Sequence, residues 1–369
     1  MIPAKQQPVS IPFTRTSRLI VLDAKINGVV GTFIFDNGFS YSAVNQSFAT
    51  RAGINFDNYS SIKDANNKSA KLREATVDSV DINGQIFKDT GFYLVNTLAF
   101  LPCDEIDGII GASIIRKSNW KINFQTKTLQ ISSIPFKSEG FRLNTHFKNN
   151  NTTLTELEIQ GKSITTKIDL GSTNSLKLSK KKYINLFQNV LAEKQLGIQS
   201  LSATGLGNNQ TSYYTKDSYT LGQNKNLLPT SSRVLLRNNL KYEGYLGIDY
   251  FDEYEFIINS INNEYLLNLV DDHPIKEREI SYGISLYLVN GIWKVVLKDA
   301  NDKNIQSINA MDTIEKIDGK SIINFKDICS IRKYIKNKTE LNENMTITVN
   351  NKSYELFLRR NSTAVIKDY

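Results

Sequence analysis

Phe33-Ile34-Phe35-Asp36-Asn37-Gly38 and Ile168-Asp169-Leu170-Gly171-Ser172 decide how this chain is read. Each is an apolar run that ends in Asp-x-Gly. Upstream of the first stands Leu19-Ile20-Val21-Leu22-Asp23-Ala24-Lys25-Ile26-Asn27-Gly28, and upstream of the second Leu154-Thr155-Glu156-Leu157-Glu158-Ile159-Gln160-Gly161. In both cases the turn glycine precedes the aspartate by eight residues. Alternating apolar and polar residues on either side of a turn glycine predict a β-hairpin. Both aspartates are therefore expected where a second hairpin strand runs out into a tight turn, a place that glycine's conformational freedom favours.

The correspondence continues downstream. Asp107-Gly108-Ile109-Ile110-Gly111-Ala112 is followed by Trp120-Lys121-Ile122-Asn123-Phe124, and Glu243-Gly244-Tyr245-Leu246-Gly247-Ile248 by Phe256-Ile257-Ile258-Asn259. Asp36 lies 75 residues before Gly111, and Asp169 lies 78 before Gly247. The chain thus reads as an internal repeat. Two β-rich copies, each with one apolar edge, can pair about a pseudo-twofold axis. That pairing would bring the two Asp-x-Gly turns face to face.

Phe33 to Gly38, with Ser40 and Val44 beyond, resembles the hydrophobic-hydrophobic-Asp-Thr/Ser-Gly signature of aspartic proteases, and Ile168 to Thr173 resembles its second copy. Ile109-Ile110-Gly111 and Tyr245-Leu246-Gly247 resemble the segment that closes each lobe of that fold. The size of the copies is similar to the bacterial retropepsin-like branch, over about residues 15 to 270. The last hundred residues resemble a PDZ domain. Tyr282-Gly283-Ile284-Ser285-Leu286 is similar to its carboxylate-binding loop, Trp293 to Leu297 to its next strand, and Asp312 to Lys320 to its Gly-Asp-x-Ile-x-x-Ile-Asn-Gly segment, with Met311 in place of the usual glycine. A helix is expected at 325 to 337 and a strand pair from Met345 to Leu358. The fold class implied is mainly β: a pseudo-twofold, two-lobed retropepsin-like β-barrel fold plus a small PDZ-like α+β domain. The division expected is 1–139 for the first lobe, 140–274 for the second and 275–369 for the PDZ-like domain.

The resemblance implies an aspartic endopeptidase with Asp36 and Asp169 as its catalytic pair. Two carboxylates a few ångströms apart cannot both ionise cheaply, so they share a proton and titrate as a pair. One can then deprotonate a water while the other protonates the substrate carbonyl. Asn37, Gly38, Gly171 and Ser172 would support the pair. Asn66 and Asn67 are expected at one flap tip, within Asp64 to Ser69. Gly205 and Gly207 are expected at another, within Ala203 to Asn209. Gly283, Ile284, Ser285 and Leu286 would bind a peptide carboxylate. Three positions depart from the family pattern. Asn37 stands where a hydroxyl is usual but can still donate a hydrogen bond, Leu170 cannot, and Phe39 replaces a small or hydroxyl residue. These departures leave a second reading, a catalytically inactive peptide-binding protein of the cell envelope that captures extended chains by strand addition.

Composition bounds the rest. With 369 residues, 40% apolar, the chain is long enough for two or three cores. Its formal charge of +8 is spread out, and the Lys180-Lys181-Lys182 run flanks an expected helix start, so a solvated surface is expected and no nucleic-acid partner. Cys103 and Cys329 fit no zinc or redox spacing and read as ordinary cysteines or as a bridge between domains. His146 and His273 read as surface residues and supply no metal centre. No cofactor is implied. No run of 18 apolar residues offers a transmembrane segment. The expected partner is a polypeptide substrate or peptide ligand, and a monomer is expected because both aspartates lie in one chain. Met1-Ile2-Pro3-Ala4-Lys5 lacks the apolar core of a signal peptide. The resemblance nevertheless implies a periplasmic, cell-envelope or secreted protein, because relatives of this arrangement are exported.

Overall fold

The computed structural model describes residues 7–95, 103, 105–148, 151–198, 200–202, 205–223, 226–270, 280–325 and 327–360. The protein is mainly β. It forms two compact units, one of Met1–Ser179, Tyr219–Val234 and Leu240–Pro274, the other of Lys180–Ser218, Leu235–Asn239 and Ile275–Tyr369.

In the first unit the expected hairpins form. Leu19–Ile26 pairs with Val29–Phe35 across Asn27 and Gly28, which both take positive φ (49° and 82°). That is the turn Asn-Gly favours, because its twist matches the flanking strands. Thr152–Ile159 pairs with Lys162–Asp169 across Gln160 and Gly161, again both at positive φ. Phe33, Ile34 and Phe35 are all buried, as are Ile168 and Leu170. Strands covered on both faces read as continuous apolar runs, which is why these segments lose the alternation seen upstream.

Each aspartate strand then receives a parallel neighbour. Val29–Phe35 runs beside Gly108–Ile110, with Phe35 opposite Ile110. Lys162–Asp169 runs beside Gly244–Gly247, with Asp169 opposite Gly247. On the far side of these closing strands lie Ser42–Val44 and Leu176–Ser179, both antiparallel. Each closing strand is therefore threaded between the strand that delivers the aspartate and the strand that leaves it. Short helices follow at Ala112–Ile115 and Ile248–Phe251.

A separate six-stranded sheet has the order Val9–Pro12, Thr128–Ser132, Asn119–Asn123, Tyr254–Asn259, Glu264–Leu269, Phe141–Leu143. Its middle pair sets Trp120 opposite Ile258 and Ile122 opposite Phe256, and all four side chains are buried. Trp120 keeps its indole N–H satisfied by donating to the Ile115 carbonyl at 2.6 Å, as a buried Trp requires.

The second unit starts with the helix Lys180–Phe187 at the lysine run. Leu191–Gly197 pairs with Gln210–Thr215 on one edge and with Ile292–Asp299 on the other, so residues 191–197 share a sheet with the C-terminal segment. The core of that segment contains Trp293, Val295, Ile317, Ile331 and Ile347. Its helix is Ile328–Glu340, capped by the Asp327 carboxylate, and its last hairpin joins Met345–Val349 to Lys352–Leu356. Arg359 is paired with Asp299 at 3.2 Å and Asp302 at 2.7 Å. Neither Cys103 nor Cys329 is a free thiol. No helix among the described residues is long and apolar enough to cross a membrane.

Candidate active site

Asp36 and Asp169 are brought together, and the backbone of the two turns does it. The Gly171 N–H lies 3.0 Å from Asp36 Oδ1 and 3.1 Å from Asp169 Oδ1, so one amide bridges both carboxylates. Gly38 donates to Asp36 Oδ1 at 2.7 Å. Each glycine also faces the opposite aspartate. A Cβ on Gly38 would strike the Asp169 carboxylate, and a Cβ on Gly171 would strike that of Asp36. Glycine at both turns is thus a condition for the carboxylates to meet.

The residues beside the turns behave less evenly. Asn37 is buried, and its Oδ1 accepts the Leu170 N–H at 2.8 Å. It bridges the two turns as an acceptor, not as the donor expected from the sequence. The Leu170 side chain offers nothing in return and is fully buried. Phe39 turns its ring toward Tyr93, edge on, with centroids 6.3 Å apart. Its backbone still does what the backbone of Ser172 does. The Phe39 carbonyl accepts from Ala112 and the Ser172 carbonyl from Ile248, both at 2.8 Å. The departure at Phe39 therefore leaves the turn intact, because what the turn requires there is a carbonyl. Gly111 and Gly247 are held by the same geometry, since a Cβ on either would collide with the carbonyls of Phe39 and Tyr41, or of Ser172 and Asn174.

One charged side chain in the site was not anticipated. Lys167 sits two residues before Asp169 on the same strand, and alternate strand residues share a face. Its ammonium is buried. It lies 3.2 Å from Asp169 Oδ2 and donates to the Gly38 carbonyl at 2.5 Å. It also stands 5.8 Å and 5.6 Å from the ring centroids of Tyr242 and Tyr245. Burial works against the lysine's charge, but the carboxylates of Asp169 and Asp36 together outweigh it and hold its pKa above the usual value. The signal was visible in Lys167-Ile168-Asp169: a lysine inside a buried strand, in step with an acid. The equivalent position before Asp36 is Ile34. The carboxyl of Asp36 is pushed up from its ordinary value to about 7, chiefly by burial and then by Asp169, against the opposing pull of Lys167 and of the Gly38 and Gly171 amides.

Other expected residues fall as follows. Asn66 and Asn67 lie at the tip joining Asn58–Lys63 to Ser69–Ile82, where the Asp64 carboxylate accepts from Asn66 at 2.9 Å and Lys68 at 2.8 Å. Gly205 and Gly207 belong to the second unit. Gly205 pairs with Ser202, and Gly207 donates to the Ser200 carbonyl at 2.8 Å. Ala203 and Thr204 are outside the described residues. Gly283 has φ of +68° and leads into Ile284–Val289, an edge strand that pairs with Ile292–Asp299 and carries Ile284, Ser285 and Leu286. His146 is exposed, and His273 lies outside the described residues. Among the described residues no group of His, Cys, Asp and Glu could hold a metal ion.

A family model described as aspartyl protease matches residues 22–114, the segment that holds Asp36 and its closing strand. No curated protein matches the chain. Among solved structures, a retropepsin-like aspartic protease from Rickettsia conorii is similar at 20% sequence identity over 34% of this chain and 89% of that one, with a TM-score of 0.27.

Proposed function

We propose that this protein is an aspartic endopeptidase in which Asp36 and Asp169 activate a water molecule against a peptide carbonyl. The observation that carries the reading is the single Gly171 N–H shared by both carboxylates, with the two turn glycines each facing the other's aspartate. Carboxylates so placed hold one proton between them. One takes a proton from water as the other protonates the carbonyl oxygen, and the tetrahedral intermediate collapses with the amine leaving. Neither metal nor covalent intermediate is required. The family match over residues 22–114 supports the assignment for Asp36. On this reading residues 1–139 and 140–274 are two copies of one lobe. The tips at Asn66 and Asn67 and at Gly205 and Gly207 close over an extended substrate. Residues 275–369 form a PDZ-like domain that receives a chain end at Gly283 to Leu286. The protein works as a monomer in the periplasm, in the cell envelope or outside the cell.

Hydrolysis of a mixed peptide library by the full chain tests this. Cleavage is expected at mildly acidic to neutral pH, and Asp36→Asn or Asp169→Asn should each abolish it while the circular dichroism spectrum stays unchanged. A folded protein that cleaves nothing between about pH 3 and 8 would reject the assignment. One observation favours the alternative of an inactive peptide binder: Leu170 gives the opposite turn no side-chain hydrogen bond, so the bracing through the residues after the aspartates is one-sided. Small errors in the placement of reacting groups cost rate heavily. Peptide binding that survives in the absence of any cleavage would identify that case.

A further inference from the structure

The carboxylate pair is not symmetric, and the asymmetry comes from one side chain. We propose that Lys167 is a positioning residue that holds the negative charge on Asp169 and so leaves the shared proton on Asp36. On the reading given above, Asp169 is then the base that takes the proton of water, and Asp36 is the acid that protonates the carbonyl oxygen.

The geometry carries the argument. Lys167 Nζ touches Asp169 Oδ2 at 3.2 Å, with about a tenth of either side chain exposed. Asp36 accepts two amides, from Gly38 and Gly171, and Asp169 accepts one of these same amides. An amide is a dipole, whereas an ammonium at contact distance is a full charge, and out of water its pull is weakly screened. The cation therefore decides which oxygen keeps the charge. Among the described residues, the titratable groups around it include Tyr242 and Tyr245, whose rings face the ammonium, Lys148 and Lys241, which lie 5.8 Å and 5.6 Å from the Tyr242 ring, and Lys177, which lies 5.5 Å from the Tyr245 ring and donates to Ser172 Oγ at 3.1 Å. The upward shift of the Asp36 carboxyl agrees with a retained proton.

The same ammonium has a mechanical part. It reaches from the Asp169 strand to the Gly38 carbonyl at 2.5 Å, inside the Asp36 turn. Asn37 already ties the Asp36 turn to the Leu170 amide. Lys167 supplies a further side-chain tie between the turns, the one that Leu170 cannot make. With Lys167 charged, Asp169 charged and Asp36 neutral, the buried trio has no net charge, so the reactive protonation state is the one the site best tolerates.

The test uses the full chain with aspartate isotopically labelled at its side-chain carboxyl carbon and follows those resonances through a pH titration, assigned by their loss in Asp36→Asn and Asp169→Asn. In the native protein the resonance that titrates near neutrality should be that of Asp36. In Lys167→Met, which keeps the length of the side chain and removes its charge, both steps of the pair should move to higher pH by a unit or more, and Lys167→Arg should restore most of the shift. The pH profile of peptide cleavage should shift in the same direction. A lysine that only braced the turns would lower the rate at every pH without moving the profile. Unmoved titrations in Lys167→Met, or a neutral step assigned to Asp169, would overturn the proposal. The resonances report proton placement whether or not peptides are cleaved, so a failure of the endopeptidase assignment is seen separately.

Discussion

Met311 adopts φ of +77°, a conformation that costs a residue with a Cβ roughly 1–2 kcal/mol and glycine almost nothing. Its neighbours hold it there: Met311 N–H donates to the Val295 carbonyl at 2.7 Å, and its own carbonyl accepts from Lys294 at 3.1 Å. Its side chain is exposed, so little packing is lost on removing it. Met311→Gly should therefore stabilise the second unit by about 1 kcal/mol, read as a rise in the urea midpoint. An unchanged or lower midpoint would mean that the strain is already relieved by contacts of the methionine chain. Lys167 shows the opposite economy at the same scale. A buried charge is tolerated because both its partners and its ring neighbours are in place before any substrate arrives.

The strands that carry the aspartates are held by closing strands whose last residue has room for no side chain. Gly111 and Gly247 each press against two carbonyls of the turn in front of them. Backbone cannot step aside as a flexible side chain can, so Gly111→Ala and Gly247→Ala should each destabilise the first unit by up to about 3 kcal/mol. Chemical denaturation of the two variants checks this, and a loss well under 1 kcal/mol in either would show that the turn can relax. These elements were legible in advance because hairpin periodicity, turn glycines and the Gly-x-x-Gly closing runs are local signals. What was not legible depends on contacts distant in the chain. That Asn37 would accept from Leu170 required knowing that the Leu170 amide points at it. That Arg359 would be paired with Asp299 and Asp302 was hidden in a C-terminal Arg-Arg that reads as solvated surface. Residues 191–197 gave no hint that one of their edges would be taken by a strand a hundred positions later.

At the scale of the whole molecule, the buried pair makes folding depend on pH. The Asp36 carboxyl titrates in the folded protein at about 7, above its unfolded value of 3.8. The folded state thus binds this proton more tightly, and the group's stabilising contribution is full below the unfolded value and is lost as pH rises through about 7. Asp36→Asn keeps an acceptor for Gly38 and Gly171 and removes the proton from the balance. The gain in its thermal midpoint over the native protein should be smaller at pH 5 than at pH 8, as differential scanning calorimetry would show. A gain of the same size at both values would place the effect elsewhere.

The six-stranded sheet has a further consequence. Because Asn119–Asn123 is zipped along its whole length to Tyr254–Asn259, neither partner strand is an edge. A fragment that stopped before the second of them would bare a row of unpaired amides and carbonyls flanked by Trp120 and Ile122, a template on which another chain can add. The pairing of these two strands is therefore also a safeguard against self-association, and it is sealed only once both strands have been synthesised.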